Sequence, residues 1–279
     1  MKRKVLFTIF ALMAVCRTYA YDIAVENEDG VTICYNYIND GTELEVCYSY
    51  SYKEQPIIKI PEEVTYKTKT RKVTSIGEEA FYYSPNSHAN KLSEITIPKS
   101  VTTIKLDAFR ECWNLTKVHI TDLVAWCNIK FYEYGGRVSN PLYYAQHLYL
   151  NGVEIKKLVV PNSVTSIGAY TFYGCKGLTS VTIHNSVTTI EKCAFYYCSK
   201  LTRVNISDLA SWCNISNHSN PLEYAHHLYL NGQEVKDLVI PNSVTTIGER
   251  AFSDCSGLTS VTIPNSVTTI GRAAFRYCI

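Results

Sequence analysis

Catalysis needs a nucleophile, a set of metal ligands or a paired acid and base, and one place in this 279-residue chain has the residue types for it. His226-His227 follows closely on Cys213, a set that could hold zinc or form a Cys/His dyad. A second, related stretch of the chain, however, has Gln146 where His226 stands. Adjacent residues of an extended segment also point to opposite sides, so the two imidazoles would not converge. No glycine-rich phosphate loop, His-Glu-x-x-His or Gly-x-Ser-x-Gly occurs. We therefore expect no catalytic residue, no metal and no cofactor; a hydrolase built on these residues is the remote alternative. Asn-x-Ser/Thr sequons at Asn114, Asn205, Asn214 and Asn217 matter only in a eukaryotic host.

Cysteine is the other reactive type, with 11 in the chain. Two lie in VTICYNYI and TELEVCYSY, which flank Asn39-Asp40-Gly41 and read as a β-hairpin. A two-residue turn at Asp40-Gly41 pairs residues whose numbers sum to 81. Tyr37 then faces Leu44, Tyr35 faces Val46 and Ile33 faces Tyr48. The same register sets Cys34 against Cys47 at a non-hydrogen-bonded site, where Cα atoms approach to about 4.5 Å. The sequence thus predicts a Cys34–Cys47 disulfide. Cys112, Cys175, Cys198, Cys255 and Cys278 recur in one motif position and are expected as a column of buried thiols. Successive thiols would stand roughly 4.8 Å apart, with parallel side chains that do not favour bridging.

The elements that position all of these come from a repeat. LTSVTIHNSVTTIEKCAFYYC at 178–198 returns at 258–278 as LTSVTIPNSVTTIGRAAFRYC, with looser copies from Leu92 and Leu158. Ile97 to Ile120 is 23 residues, as are Val160 to Ile183, Ile183 to Ile206 and Ile240 to Ile263. A 23-residue period opening on Leu-x-x-Val-x-Ile is a leucine-rich repeat pattern. Val181 and Ile183 alternate as in a strand, Val187 to Ile190 forms a second β-branched run, and a Phe plugs each coil (Phe81, Phe109, Phe172, Phe195, Phe252, Phe275). One coil cannot hide its apolar edge alone, but stacked coils bury it continuously. The expected fold is a right-handed, mainly-β leucine-rich repeat solenoid of about eight coils, with an N-terminal β-hairpin cap.

Two longer gaps hold related inserts, 121–152 and 207–232, sharing DLxxWCNI and HLYLNG. Asp122 and Asp208 suit helix N-caps, Trp126 and Trp212 suit a buried side, and Asn151-Gly152 and Asn231-Gly232 suit hairpin turns. Oversized coils packed on the stack are the plainer expectation. As binding protrusions, the inserts would offer Tyr132, Tyr134, Tyr144, His226 and His227. Side chains pointing out of the strands are free of packing and form the other candidate surface. They include Glu94, Lys117, His119, Lys157, Val159, Arg203, Asn205, Asp237 and Val239.

The domain reading is 1–20 signal peptide, 21–55 hairpin cap and 56–279 solenoid. Lys2, Arg3 and Lys4 precede an apolar run from Val5 to Val15 too short to span a bilayer, and Thr18-Tyr19-Ala20 suits cleavage. A lipid anchor on Cys16 is the minor alternative. Net charge is +2 without a basic stripe, which argues against nucleic acid as partner. The final coil reads as unfinished after Cys278: either the chain is truncated there, or that open end is covered by self-association or left exposed.

IPNSVTTIGERAFSDCSGLTSVTIPNSVTTIGRAAF at 240–275, its copies and the DLxxWCNI and HLYLNG inserts resemble the BspA-like leucine-rich repeat family. The resemblance covers about 56–279. It implies a secreted or surface right-handed solenoid of anaerobic bacteria or some protist parasites that adheres to host matrix proteins or other cells. It brings no catalytic motif. The function expected is non-enzymatic, adhesin-like binding at a cell surface; a structural partner in a surface complex, glycan-related, is the alternative.

Overall fold

The computed structural model describes residues 20–82, 90–217 and 219–278. The expected export signal with Cys16 lies almost wholly outside them. Among the described residues no helix is long and apolar enough to cross a membrane.

The Leu-x-x-Val-x-Ile segments form parallel strands in 23-residue register. Ser180–Ile183 pairs with Arg203–Ile206, Val181 against Val204 and Ile183 against Ile206. Inward Val181, Ile183, Val204 and Ile206 are buried, while Thr182 and Asn205 between them face out. This is the alternation a sheet with one wet face requires. The VTTI segments build a second parallel wall, as in Thr189–Ile190 beside Ser166–Ile167. Between the walls run the phenylalanines. Phe81 stacks on Phe109 at 5.0 Å, Phe172 on Phe195 at 5.3 Å and Phe252 on Phe275 at 5.3 Å. Each column is locked by the backbone, since the Phe172 N–H donates to the Ala194 carbonyl of the next coil at 2.8 Å. The recurrent thiols are free. Cys112, Cys198 and Cys278 donate to the carbonyls of Phe81, Phe172 and Phe252 at 3.0–3.2 Å.

The inserts are oversized coils, and each contributes a rung of its own. Leu148–Leu150 lies parallel to Lys117–Ile120, and Leu228–Leu230 lies parallel to Arg203–Ile206. Asn151-Gly152 and Asn231-Gly232, all at positive φ, then turn the chain into a short antiparallel strand. That strand ends the sheet, and the next one starts afresh at Lys157–Val159 or Asp237–Val239. Among the described residues the stack therefore has two seams with no strand pairing across them. Asp122 and Asp208 cap their helices by accepting from Ala125 and Ser211 N–H at 2.8 and 2.6 Å. This aims the buried Trp126 indole N–H at the Thr171 carbonyl (3.1 Å) and that of Trp212 at the Ala251 carbonyl (2.9 Å), across the seams.

At the N-terminus, Thr32–Ile38 and Glu43–Val46 pair in the expected register, Tyr35 against Val46 and Tyr37 against Leu44. Glu43–Val46 also runs parallel to Lys69–Ile76, so the hairpin continues the wall. Glu63–Tyr66 and Lys69–Ile76 form an antiparallel hairpin. Cys34 and Cys47, the pair expected to bridge, are both free thiols in this structure. The closing loop spans four residues rather than two, with Asn39, Asp40 and Gly41 at positive φ and Ile38 paired to Glu43. This inverts the hydrogen-bonding phase while keeping the register. Cys47 N–H donates to the Cys34 carbonyl at 3.0 Å, so the pair is of the hydrogen-bonded kind. Its Cβ atoms stand about 5.5 Å apart, outside the roughly 3.5–4.5 Å of a relaxed bridge. Peptide mapping after alkylation without reductant should recover both cysteines alkylated; a linked Cys34–Cys47 peptide would contradict this geometry.

Candidate binding face

The nine outward residues named from sequence fall into three groups, because the two seams divide the sheet. In the first sheet Glu94 sits between two partners, with Lys117 Nζ at 2.6 Å and His119 Nε2 at 3.2 Å. The hydrogen bond from Lys117 holds the Glu94 carboxyl below its ordinary 4.5. The His119 ring lies on Tyr149 at 4.9 Å. This cluster satisfies its own charges.

In the third sheet Asp237 accepts from Ser260 Oγ at 2.6 Å and Thr259 Oγ1 at 3.0 Å, which lowers its pKa. Val239 is 62% exposed beside it.

The second sheet brings four of the nine together. Lys157, Val159, Arg203 and Asn205 line one trough of about 610 Å³, with Thr182 and His184 from the strand between and Asn231-Gly232 from the insert turn. The Arg203 guanidinium lies over the Tyr229 ring at 3.6 Å and donates through Nη2 to the Gly232 carbonyl at 3.2 Å. Asn205 Nδ2 donates to the Val181 carbonyl at 3.3 Å. Val159 is 54% exposed.

Tyr149 and Tyr229 were missed by sequence reasoning, although they shape the face by carrying its His119 and Arg203 neighbours. The signal was present. In HLYL the leucines alternate around a tyrosine as Val and Ile alternate around Thr182, so the segment could have been read as a rung.

The insert residues divide differently. Tyr132 and Tyr134 are exposed, Tyr134 on the small hairpin formed with Arg137–Val138. Tyr144 is engaged inside the chain. Its hydroxyl accepts from the Glu111 N–H at 3.1 Å, its ring meets Trp113 at 5.0 Å, and burial pushes its phenol up to about 12. His226 ends a helix in the left-handed region, with Nδ1 3.2 Å from the Asp254 carbonyl. His227 pairs with Glu234 at 2.7 Å directly over Gly257, where an added Cβ would come within 3.0 Å of both side chains; His147, Glu154 and Gly177 repeat the device. Cys213 is buried, its thiol pushed up to about 12 by desolvation. Among the described residues no three His, Cys, Asp or Glu side chains gather as metal ligands.

One further feature went unforeseen, an aromatic row that reaches the surface at Trp113, Tyr143 and Tyr197 while Tyr173 within it is buried. Rings chain from Trp113 through Tyr144, Tyr143 and Tyr173 to Tyr196 and Tyr197, with centroids 4.2–5.9 Å apart, and Trp113 is 69% exposed.

No curated protein sequence matches this chain. Similar solved structures include a leucine rich cell surface protein from Faecalibacterium prausnitzii A2-165, 21% identical, with 92% of this chain and 74% of that one covered and a TM-score of 0.42. A leucine-rich repeat protein from Bacteroides ovatus is 23% identical over 92% of this chain and 80% of its own, with a TM-score of 0.38. The leucine rich repeat protein of T. pallidum is 19% identical over 86% and 83%, with a TM-score of 0.39. The sequence model of the BspA type leucine rich repeat region matches six copies over residues 49–135 and 145–279. Those residues hold the leucine-rich repeat rungs, the Phe columns, all of the second insert and most of the first, and on them this chain belongs to the BspA-type leucine-rich repeat family.

Proposed function

We propose that this chain is an exported, non-enzymatic binding protein that presents the outward face of its strands to protein ligands at a cell surface, as an adhesin does. The fold that serves this is a right-handed solenoid of about eight coils, closed at its N-terminal end by the hairpin. The observation that carries the reading is the trough. Four outward side chains drawn from segments up to 48 residues apart converge there by the repeat alone, and none of them supports the core. Family membership favours protein binding over turnover.

The test is capture of matrix proteins and glycans by the mature chain. Joint replacement of Lys117, Lys157 and Arg203 by Glu should lower capture of a protein ligand by at least tenfold, about 1.4 kcal/mol. Unchanged capture would move the site to the inserts. A glycan-related assembly role is the second reading, favoured by the aromatic row from Trp113 to Tyr197. It would show as glycan capture that survives the triple replacement.

A further inference from the structure

The trough differs from the equivalent place in the first sheet by one missing charge. There the outward row carries Glu94 next to Lys117 in register, and the cation is neutralised. In the second sheet the same row reads Lys157, Ser180, Arg203 in register. Among the described residues neither cation meets a carboxylate. Lys157 is exposed, and Arg203 has only the Gly232 carbonyl, its buried Nε being without a partner. No acidic residue lines the trough. A guanidinium already laid on an aromatic ring has less freedom to lose when an anion arrives.

Two cations stand two rungs apart, roughly 10 Å along the sheet, with an exposed valine beside them. Carboxylates on alternate residues of an extended peptide lie about 7 Å apart, a mismatch the flexible lysine can close. A sulfated polysaccharide would be matched by a string of cations; this trough has two, and Val159 offers it nothing.

Resting on the protein-binding reading, we infer that the trough takes an extended acidic segment of a partner protein, with carboxylates on Lys157 and Arg203 and an apolar side chain against Val159. The test is fluorescence anisotropy of the mature chain with a labelled short peptide Glu-Ser-Glu-Ser-Val, whose alternation puts both carboxylates and the valine on one face. The peptide with lysine in place of each glutamate and a heparin-derived oligosaccharide run beside it.

The glutamate peptide should bind and weaken as salt rises. Lys157→Ala and Arg203→Gln should each weaken it about tenfold, and Lys69→Ala, on the distant hairpin, should leave it unchanged. Lys157 is exposed and unpaired, so its variant should melt as the parent does. No binding of the glutamate peptide, equal binding of the lysine peptide, retention in both variants, or preference for the oligosaccharide would each overturn the inference. The broader reading fails separately: it falls if no protein is captured. It stands if proteins are captured and lost on triple replacement while the peptide fails.

Discussion

Replacing Trp126 by alanine is expected to cost about 4 kcal/mol and to split one unfolding transition into two. The cost has two sources. The side chain is buried against Phe131 at 5.3 Å, and its removal leaves the Thr171 carbonyl with one donor fewer. The splitting follows from where it sits. In a repeat protein each coil is held chiefly by its neighbours, so cooperativity depends on every interface in the series. At the seam between Glu154 and Lys157 no strand pairs with the next. Among the contacts that cross it are the Trp126 indole, Asn140 Nδ2 to the Tyr170 and Thr171 carbonyls at 2.7 and 3.0 Å, Gly177 N–H to the Gln146 carbonyl at 3.0 Å, the Lys192–Glu133 ion pair and the Tyr143–Tyr173 ring contact. Urea unfolding followed by far-ultraviolet circular dichroism and by the remaining indole fluorescence should give non-coincident curves for the variant and coincident ones for the parent. Trp126→Phe, which keeps a ring but not the donor, should fall between them. A single transition with a loss below about 1 kcal/mol would show that the seam does not depend on the indole.

The second large effect is alkaline unfolding. Burial pushes the thiols of Cys47, Cys127, Cys175, Cys213 and Cys255 up to about 12 from an ordinary 9.0. The folded chain keeps these protons at a pH where the unfolded chain has released them. Their contribution is therefore complete below about pH 9 and is lost as pH rises towards 12. Each thiol adds a slope of about 1.4 kcal/mol per pH unit inside that window, so five together outweigh the stability of an ordinary domain. The melting temperature should be level to about pH 9 and then drop steeply. Cys213→Ala should make the drop shallower by one proton. A melting temperature unchanged up to pH 11 would mean that these thiols are not sealed from water.

Much of this was legible from the residues because apolar side chains at fixed spacing admit few arrangements. Leu178, Val181 and Ile183 in 23-residue steps dictate the parallel rungs, and the Phe and Cys positions follow. Asp122 and Asp208 were readable as caps because a short acceptor before a helical segment has a local task. The turn at Asn39–Thr42 was not readable in the same way. Two-residue and four-residue loops give the same register there, and only the hydrogen-bonding phase tells them apart, which decides the fate of Cys34 and Cys47. The division of the binding face also escaped notice. It depends on Val153–Glu154 and Gln233–Glu234 folding back against the sheet, a long-range event that leaves only Asn-Gly as its mark. His226 and His227 suggested chemistry by type, yet their surroundings give them helix-ending and ion-pairing roles.

The trough exists only if coils 23 residues apart lie side by side, and thiol cross-linking measures that directly. In a chain carrying Lys157→Cys and Ser180→Cys, whose positions pair in register, a short dithiol-bridging reagent should join the two sites rapidly. A chain carrying Lys157→Cys and Ser260→Cys should stay unbridged, because Ser260 belongs to the sheet beyond the second seam. Bridging of the second pair and not the first would contradict the stacking on which the binding face depends.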